Sequence, residues 1–200
     1  MKEFFDTKTN RIILKEAVKN RFNFHSATTF KGLDLKMRTN LVAYYDEIYK
    51  SDRKKSLLLT KIDETFHENP EFTEILESSP YPIHQFTRTD YHETQVSRYG
   101  KDNQYKFHID SGGMLPRTIS IVYYFNSEPK KWSGGELELT DSPIHQGNVI
   151  DGNADIKEIM PENNMLIVFG GYSAHRVKPT ISPKKFEDGR FSVNCWVGFK

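Results

Sequence analysis

Cysteine is nearly absent from this 200-residue chain, where Cys195 stands alone. A single thiol excludes an internal disulfide framework and any thiolate-rich metal site. A dominant charge is missing too: 28 basic and 27 acidic residues leave a formal charge of +1. That balance gives no electrostatic case for a nucleic-acid or membrane-surface partner. No apolar run is long enough to cross a bilayer. Residues 1–10 lack the apolar core and cleavage region of a secretory signal, so a cytoplasmic, reducing location is the expectation. Internal repeats and low-complexity tracts are also lacking. What the chain has in quantity is aromatic residues, 14 Phe, 10 Tyr and 2 Trp, which favour strands and line pockets.

The length suits one domain spanning residues 1–200, with its N-terminal third patterned for helices. Ile12, Ile13, Leu14 and Val18 fit either a short strand or a helix, and residues 20–31 read as a surface loop. Leu41, Tyr45, Ile48 and Tyr49 fall on one side of a helix drawn within 35–49. Leu57, Leu58, Ile62 and Phe66 predict a second over about 53–67. Asn69-Pro70 reads as an N-cap followed by proline in the first turn. It opens a short helix carrying Phe72, Ile75 and Leu76, which the prolines at 80 and 82 close. Beyond residue 82 the pattern turns to strands, over 83–88, 91–99, 104–110, 118–125, 135–139, 157–160, 165–169, 174–178 and 190–199, with glycines between them. The fold class is therefore mainly β with N-terminal helices. Residues 1–82 give mainly helical support to one face of an antiparallel sandwich or flattened barrel formed by 83–200.

Side chains alternate along a strand, so His108 and Asp110 share a face of 104–110, with Ile109 opposite. An imidazole beside a carboxylate supplies two ligands of a 2-His-1-carboxylate iron site; the alternative is a polar pair on a solvated face. His175 follows the strand 165–169 and the Gly170-Gly171 turn, held either as a rigid ligand or as a satisfied histidine at a barrel end. In the last strand Arg190, Ser192, Asn194 and Trp196 face one way. Phe191, Val193, Cys195, Val197 and Phe199 face the other, and that set is wholly apolar. An arginine pointing into a partly closed barrel needs an anion. Either a protein carboxylate or a ligand carboxylate fits its planar fork, with Ser192 as a second donor. Ser120, Val122 and Tyr124 share a face of 118–125, and the Tyr124 hydroxyl is placed to join them. His84, His92 and His145 are assigned no role.

Taken in order, Tyr99, His108-x-Asp110, Tyr124 before Phe125-Asn126, Gly134-Gly135-Glu136-Leu137, His175-Arg-Val and Arg190-x-Ser192 resemble the Fe(II)- and 2-oxoglutarate-dependent dioxygenases. The resemblance covers about residues 90–199 and is strongest to the prolyl 4-hydroxylase-like branch. It implies a double-stranded β-helix core of the jelly-roll, cupin-like kind. It also implies iron on His108, Asp110 and His175, with Arg190 on the distal carboxylate of 2-oxoglutarate. Tyr99 and Tyr124 would bond the cosubstrate, and Leu137 and Trp196 would lie near it. Ser192, Asn194 and Tyr105 would form pocket wall, and Tyr105 and Arg117 are the candidate substrate contacts.

The implied reaction uses dioxygen and 2-oxoglutarate, with ascorbate as an optional reductant, and releases succinate and carbon dioxide. It hydroxylates an unactivated C–H bond, in the first instance of a peptidyl proline; a free amino acid or another small molecule is the alternative. Segments 86–98 and 140–157 are expected to fold over the site. Two departures are specific to this chain. Collagen-type prolyl 4-hydroxylases present lysine where Arg190 stands, and the interval from His175 to Arg190 carries an inserted charged loop. The competing class is a non-catalytic β-barrel module that binds a metal or a carboxylate. It calls for the three ligands to lie apart, or for Arg190 to pair with a protein carboxylate. Oligomeric state is left open by the sequence.

Overall fold

Period-two alternation of apolar and polar side chains near the end of the chain and helical periodicity near its start determine which surfaces meet. The computed structural model describes residues 1–29, 32–112, 116–182 and 184–199. The helices are α1 (Thr7–Lys19), α2 (Tyr45–Ile48), α3 (Leu57–Glu68) and α4 (Pro70–Glu77). The first strands are β1 (His25–Ser26), β2 (Leu41–Tyr44), β3 (Tyr91–Tyr99), β4 (Tyr105–His108), β5 (Ile119–Phe125), β6 (Ser133–Gly134) and β7 (Leu137–Thr140). They are followed by β8 (Ile144–His145), β9 (Asn148–Val149), β10 (Lys157–Ile159), β11 (Met165–Gly170), β12 (Ala174–Val177), β13 (Thr180–Ile181) and β14 (Arg190–Gly198). A six-stranded sheet runs β1-β2-β3-β14-β5-β11 and a four-stranded sheet β10-β7-β12-β4. The fold is mainly β with N-terminal helices, as the pattern predicts.

The starts of α1, α3 and α4 each carry a side-chain cap. Asp6 accepts from the Thr9 amide at 3.0 Å at the head of α1, and Asn69 from the Phe72 amide at 3.0 Å at the head of α4, with Pro70 following it. Ser56 caps α3 through the Leu59 amide at 3.1 Å. Glu16 of α1 accepts from the Ser56 hydroxyl at 2.5 Å and the Leu58 amide at 3.1 Å. That places a carboxylate on the positive end of α3 and ties the two helices together.

The helices cover one face of the large sheet. Phe191, Val193, Cys195 and Val197 of β14 share a buried cluster with Ile119, Ile121, Tyr123 and Phe125 of β5 and with Ile13, Leu58, Leu59, Phe72 and Leu76 from the helices. The opposite faces of the same strands turn toward the small sheet. Val122, Tyr124 and Phe169 pack there with Leu137 of β7.

Three sequence expectations are corrected. Residues 35–49 are not one helix: Leu41–Tyr44 forms β2, paired with β3, and only Tyr45–Ile48 is helical. Val42 and Ala43 are both fully buried, so β2 is covered on both faces and shows no strand alternation. Residues 83–88 form a 3₁₀ helix rather than a strand, because Phe86 must turn inward to reach Phe66 and Phe72, with ring centroids 5.2 and 5.7 Å away. With that helix leading into β3, a core strand, segment 86–98 is framework and not a cover. Segment 140–157 contains the β8–β9 hairpin, whose turn has positive φ at Gln146 and Gly147, as a tight hairpin requires. A Cβ on Gly147 would fall 2.9 Å from both Lys106 Cβ and Met37 Sδ, so the hairpin lies close against the segment before β2 and against β4. Phe30 and Lys31, at the end of the expected surface loop, lie outside the described residues. No helix among the described residues is long and apolar enough to cross a membrane.

Candidate metal and anion site

β4 and β12 are neighbours in the small sheet, and His175 stands directly across from His108. Asp110 lies two residues beyond His108, past the end of β4. Its amide and that of Ser111 both donate to the Gly171 carbonyl, at 3.0 and 2.9 Å. The turn that leads into His175 therefore also fixes Asp110. The ligand atoms of His108, Asp110 and His175 all lie within 4.8 Å of one another. Nε2 of His108 is 3.7 Å from Asp110 Oδ1, and Nε2 of His175 is 3.4 Å from Oδ2.

Both imidazoles are oriented in the same way. Nδ1 of His108 lies 2.8 Å from the Lys106 carbonyl and Nδ1 of His175 3.0 Å from the Ser173 carbonyl, each two residues back. A carbonyl can only accept, so Nδ1 carries the proton and Nε2 presents its lone pair to the centre of the group. Burial, together with neighbouring His175, holds the His108 imidazole well below its usual range. Burial alone would raise the Asp110 carboxyl, but His175, His108 and hydrogen bonds from Ser120 and Trp196 outweigh it and lower the pKa. The Ser120 hydroxyl donates to Oδ2 at 2.6 Å. A neutral imidazole and an ionised carboxylate are the states in which these groups ligate a metal.

The same cavity also reaches Arg190. Arg190 is 1% exposed, and its guanidinium lies between two phenol rings, 4.7 Å from the Tyr99 centroid and 4.9 Å from that of Tyr124. Nε and Nη1 of Arg190 and the hydroxyl of Tyr124 have no hydrogen-bond partner among the described residues. Burial pushes the Tyr124 hydroxyl up to about 12 against the opposing pull of Arg190, so it stays a donor. Gly135 makes room for the arginine: a Cβ there would sit 2.8 Å from Arg190 Cδ, at a φ of +69° that disfavours any other residue. Buried donors with nothing to donate to are costly unless an anion joins them. Three ligating atoms at one end and an unpaired guanidinium at the other suit a divalent ion and a carboxylate-bearing chelator. The two findings required by a plain binding module, separated ligands or an internally paired Arg190, are not what the structure has.

Tyr99, Tyr105, Leu137, Ser192, Asn194 and Trp196 all line this cavity with the triad and Arg190. Arg117 does not. It forms a bidentate pair with Glu93, at 2.8 and 2.7 Å, and stacks on Trp196 at 3.9 Å. It thus braces a cavity residue from outside. His84, His92 and His145 are exposed. Sequence reasoning missed Arg38, Phe169 and Val177, which complete the lining. Phe169 sits edge-on to His175 at 4.8 Å, and its place at the end of an apolar strand before the diglycine was a usable signal. Arg38 had none, because only tertiary pairing with Tyr105 brings it here.

The model of the 2OG-Fe(II) oxygenase superfamily matches residues 94–198. The chain is 28% identical over 201 residues to an uncharacterized PKHD-type hydroxylase of Synechocystis sp., covering 98% of this chain and 61% of that protein. It therefore spans about three fifths of that relative's length. Among solved structures it resembles a prolyl hydroxylase from Trichoplax adhaerens in complex with a hypoxia inducible factor oxygen degradation domain peptide fragment. The TM-score is 0.69 at 16% identity, covering 99% of this chain and 81% of that one. It also resembles the viral collagen prolyl hydroxylase of Paramecium Bursaria Chlorella virus-1 in its 2OG complex, with a TM-score of 0.59 at 17% identity over 100% and 94% of the two chains. At these identities the likeness is one of fold.

Proposed function

We propose, since this chain belongs to the 2OG-Fe(II) oxygenase superfamily, that it is an Fe(II)- and 2-oxoglutarate-dependent dioxygenase that hydroxylates an unactivated C–H bond. The observation that carries this reading is the meeting, in one cavity, of the His108, Asp110 and His175 ligand set with an Arg190 that pairs with no carboxylate among the described residues. The two sheets are read as the halves of a double-stranded β-helix, the catalytic core of a single domain over residues 1–200, with 1–82 as its helical support. The single buried thiol of Cys195 suits a reducing, cytoplasmic setting.

Each residue has a defined task. His108, Asp110 and His175 would hold iron on one face and leave its other positions open. Arg190 and the Tyr124 hydroxyl would grip the distal carboxylate of 2-oxoglutarate, with Tyr99 closing over the guanidinium. Leu137, Trp196 and Phe169 exclude water from the space between. Ser120 and the backbone carbonyls of Lys106 and Ser173 keep the ligands in one orientation. Iron and the keto acid, when bound, supply dioxygen activation coupled to decarboxylation, with succinate and carbon dioxide as products. No side-chain acid or base is required of the protein. A peptidyl proline is the substrate favoured by the branch resemblance and by the fold shared with a peptide-bound prolyl hydroxylase.

The test is anaerobic titration with Fe(II) and 2-oxoglutarate, monitored for the weak visible charge-transfer absorption. Oxygen is then admitted and succinate measured. A proline-peptide panel read for the mass gain of one oxygen addresses the substrate. Absence of the absorption band with both ligands present would defeat the proposal.

A further inference from the structure

Arg38 is the second guanidinium of the cavity, and nothing in the reaction above uses it. It is 7% exposed. Nε donates to Asn40 Oδ1 at 2.8 Å, Nη2 to Gln95 Oε1 at 2.8 Å, and Nη1 to the Thr28 carbonyl at 3.4 Å. All three acceptors are neutral. The ion-paired arginines among the described residues are Arg53, Arg117 and Arg176. The wall behind Arg38 is neutral as well: Ser97 donates to Gln95 Oε1 at 3.3 Å, and Asn194 Nδ2 to Ser97 Oγ at 2.8 Å. That chain of amide and hydroxyl groups orients the Gln95 carbonyl and fixes the fork. Three of the five guanidinium N–H bonds meet acceptors among the described residues.

The position of Arg38 is as informative as the neutrality of its described partners. Its guanidinium lies over the Tyr105 ring, 4.6 Å from the centroid. Tyr105 in turn stacks on His108, with centroids 3.4 Å apart and planes 14° from parallel. Arg38 is therefore one aromatic ring removed from a proposed iron ligand. With Fe(II), Asp110, the 2-oxoglutarate dianion and Arg190 in place, those four charges cancel. Arg38 is left as a buried surplus positive charge, which is unfavourable unless a further anion arrives.

We propose that Arg38 is the seat of a substrate carboxylate, so that this chain selects substrates carrying one close to the C–H bond to be oxidised. The inference rests on the oxygenase reading and narrows it. Two sources share this chemistry: an Asp or Glu beside the target in a peptide, and the α-carboxylate of a free amino acid. Lysine is a poor substitute at this position, because the flat guanidinium both stacks on Tyr105 and offers parallel donors.

The experiment uses the full chain loaded with Mn(II) and 2-oxoglutarate under argon, so that binding is read without turnover. One arm incubates the immobilised protein with a pool of hexapeptides of fixed central proline and random flanks, and sequences the retained members by mass spectrometry. Another compares L-proline with L-prolinamide by calorimetry. The expected result is an advantage of about tenfold for acids over the matching amides in one arm. That advantage should vanish in Arg38→Gln and persist only in part in Arg38→Lys, while the affinity for 2-oxoglutarate changes less than twofold. The arm that shows the preference identifies the source of the carboxylate.

No preference for acids in either arm, or a preference that Arg38→Gln retains, overturns the proposal. So does a loss confined to 2-oxoglutarate affinity, which would make Arg38 part of the cosubstrate site. A fall of more than about 5 °C in the melting temperature of ligand-free Arg38→Gln would assign it to structure instead. The two readings fail separately. A normal Fe(II)–2-oxoglutarate absorption band without acid preference removes only this inference, and absence of the band removes the oxygenase assignment.

Discussion

On one side of β14, Phe191, Val193, Cys195 and Val197 share a core with α1, α3 and α4. On the other, Arg190, Ser192, Asn194 and Trp196 line the cavity that holds His108, Asp110 and His175. Both sides enclose space. The helix side has a small apolar crevice among Phe4, Phe5, Ile62, Phe66 and Cys195, and the other the cavity that joins the triad to Arg190. The difference lies in what the walls leave unsatisfied. The helix-side lining is carbon and sulfur, and burial pushes the Cys195 thiol up to about 12, leaving it inert. The cavity side keeps a guanidinium and a phenol without partners. The apolar side of the strand supplies the stability that lets its reverse carry polar groups waiting for a ligand.

That division can be broken most severely at the triad. Asp110→Ala or His108→Ala is expected to abolish succinate formation while leaving the far-UV spectrum and melting curve of the metal-free chain near wild type. Full turnover in either variant would remove the metal assignment. Phe191→Ala strikes the other side of β14. It should cost about 3–5 kcal/mol of stability in denaturant unfolding, with the 2-oxoglutarate requirement of the remaining folded protein unchanged. Arg190→Ala reverses that outcome. Loss of a charge-assisted pair should raise the 2-oxoglutarate concentration needed by about 10- to 100-fold, whereas the melting temperature holds or rises because an unpaired buried charge has gone. A matching fall in stability would show Arg190 to be framework. The mildest change is Asn69→Ala, which removes the α4 cap. About 1 kcal/mol should be lost, with cosubstrate affinity untouched; any effect on turnover would mean that the helices reach the chemistry.

The site was more legible than the scaffold. The metal ligands are chemically distinctive, and period-two spacing along β14 and β5 assigns the faces of Arg190, Ser192 and Tyr124 without knowledge of the partners. Asp110 reached the site by another route than expected: β4 ends at His108, and the Gly171 carbonyl positions the carboxylate. Leu41–Tyr44 was hidden because burial on both faces erases alternation, and the spacing of Leu41, Tyr45, Ile48 and Tyr49 imitates a helix. Ile83–Arg88 was misread because its shape is set by the aromatic cluster around Phe86, not by local propensity. Arg38 could not be found at all. Its acceptors, Asn40, Gln95 and the Thr28 carbonyl, are all neutral, and only the folded chain brings them together around it.

β4 ends the small sheet, with β12 on one side and only a short bridge through Arg38 on the other, and His108 faces His175 across the β4–β12 seam. An ion shared by the two imidazoles would act as a clasp on the outermost strand, tied through Asp110 to the diglycine corner as well. Metal supply would then govern how firmly β4 is held: an iron-starved molecule would keep its helical half intact while this margin loosened first.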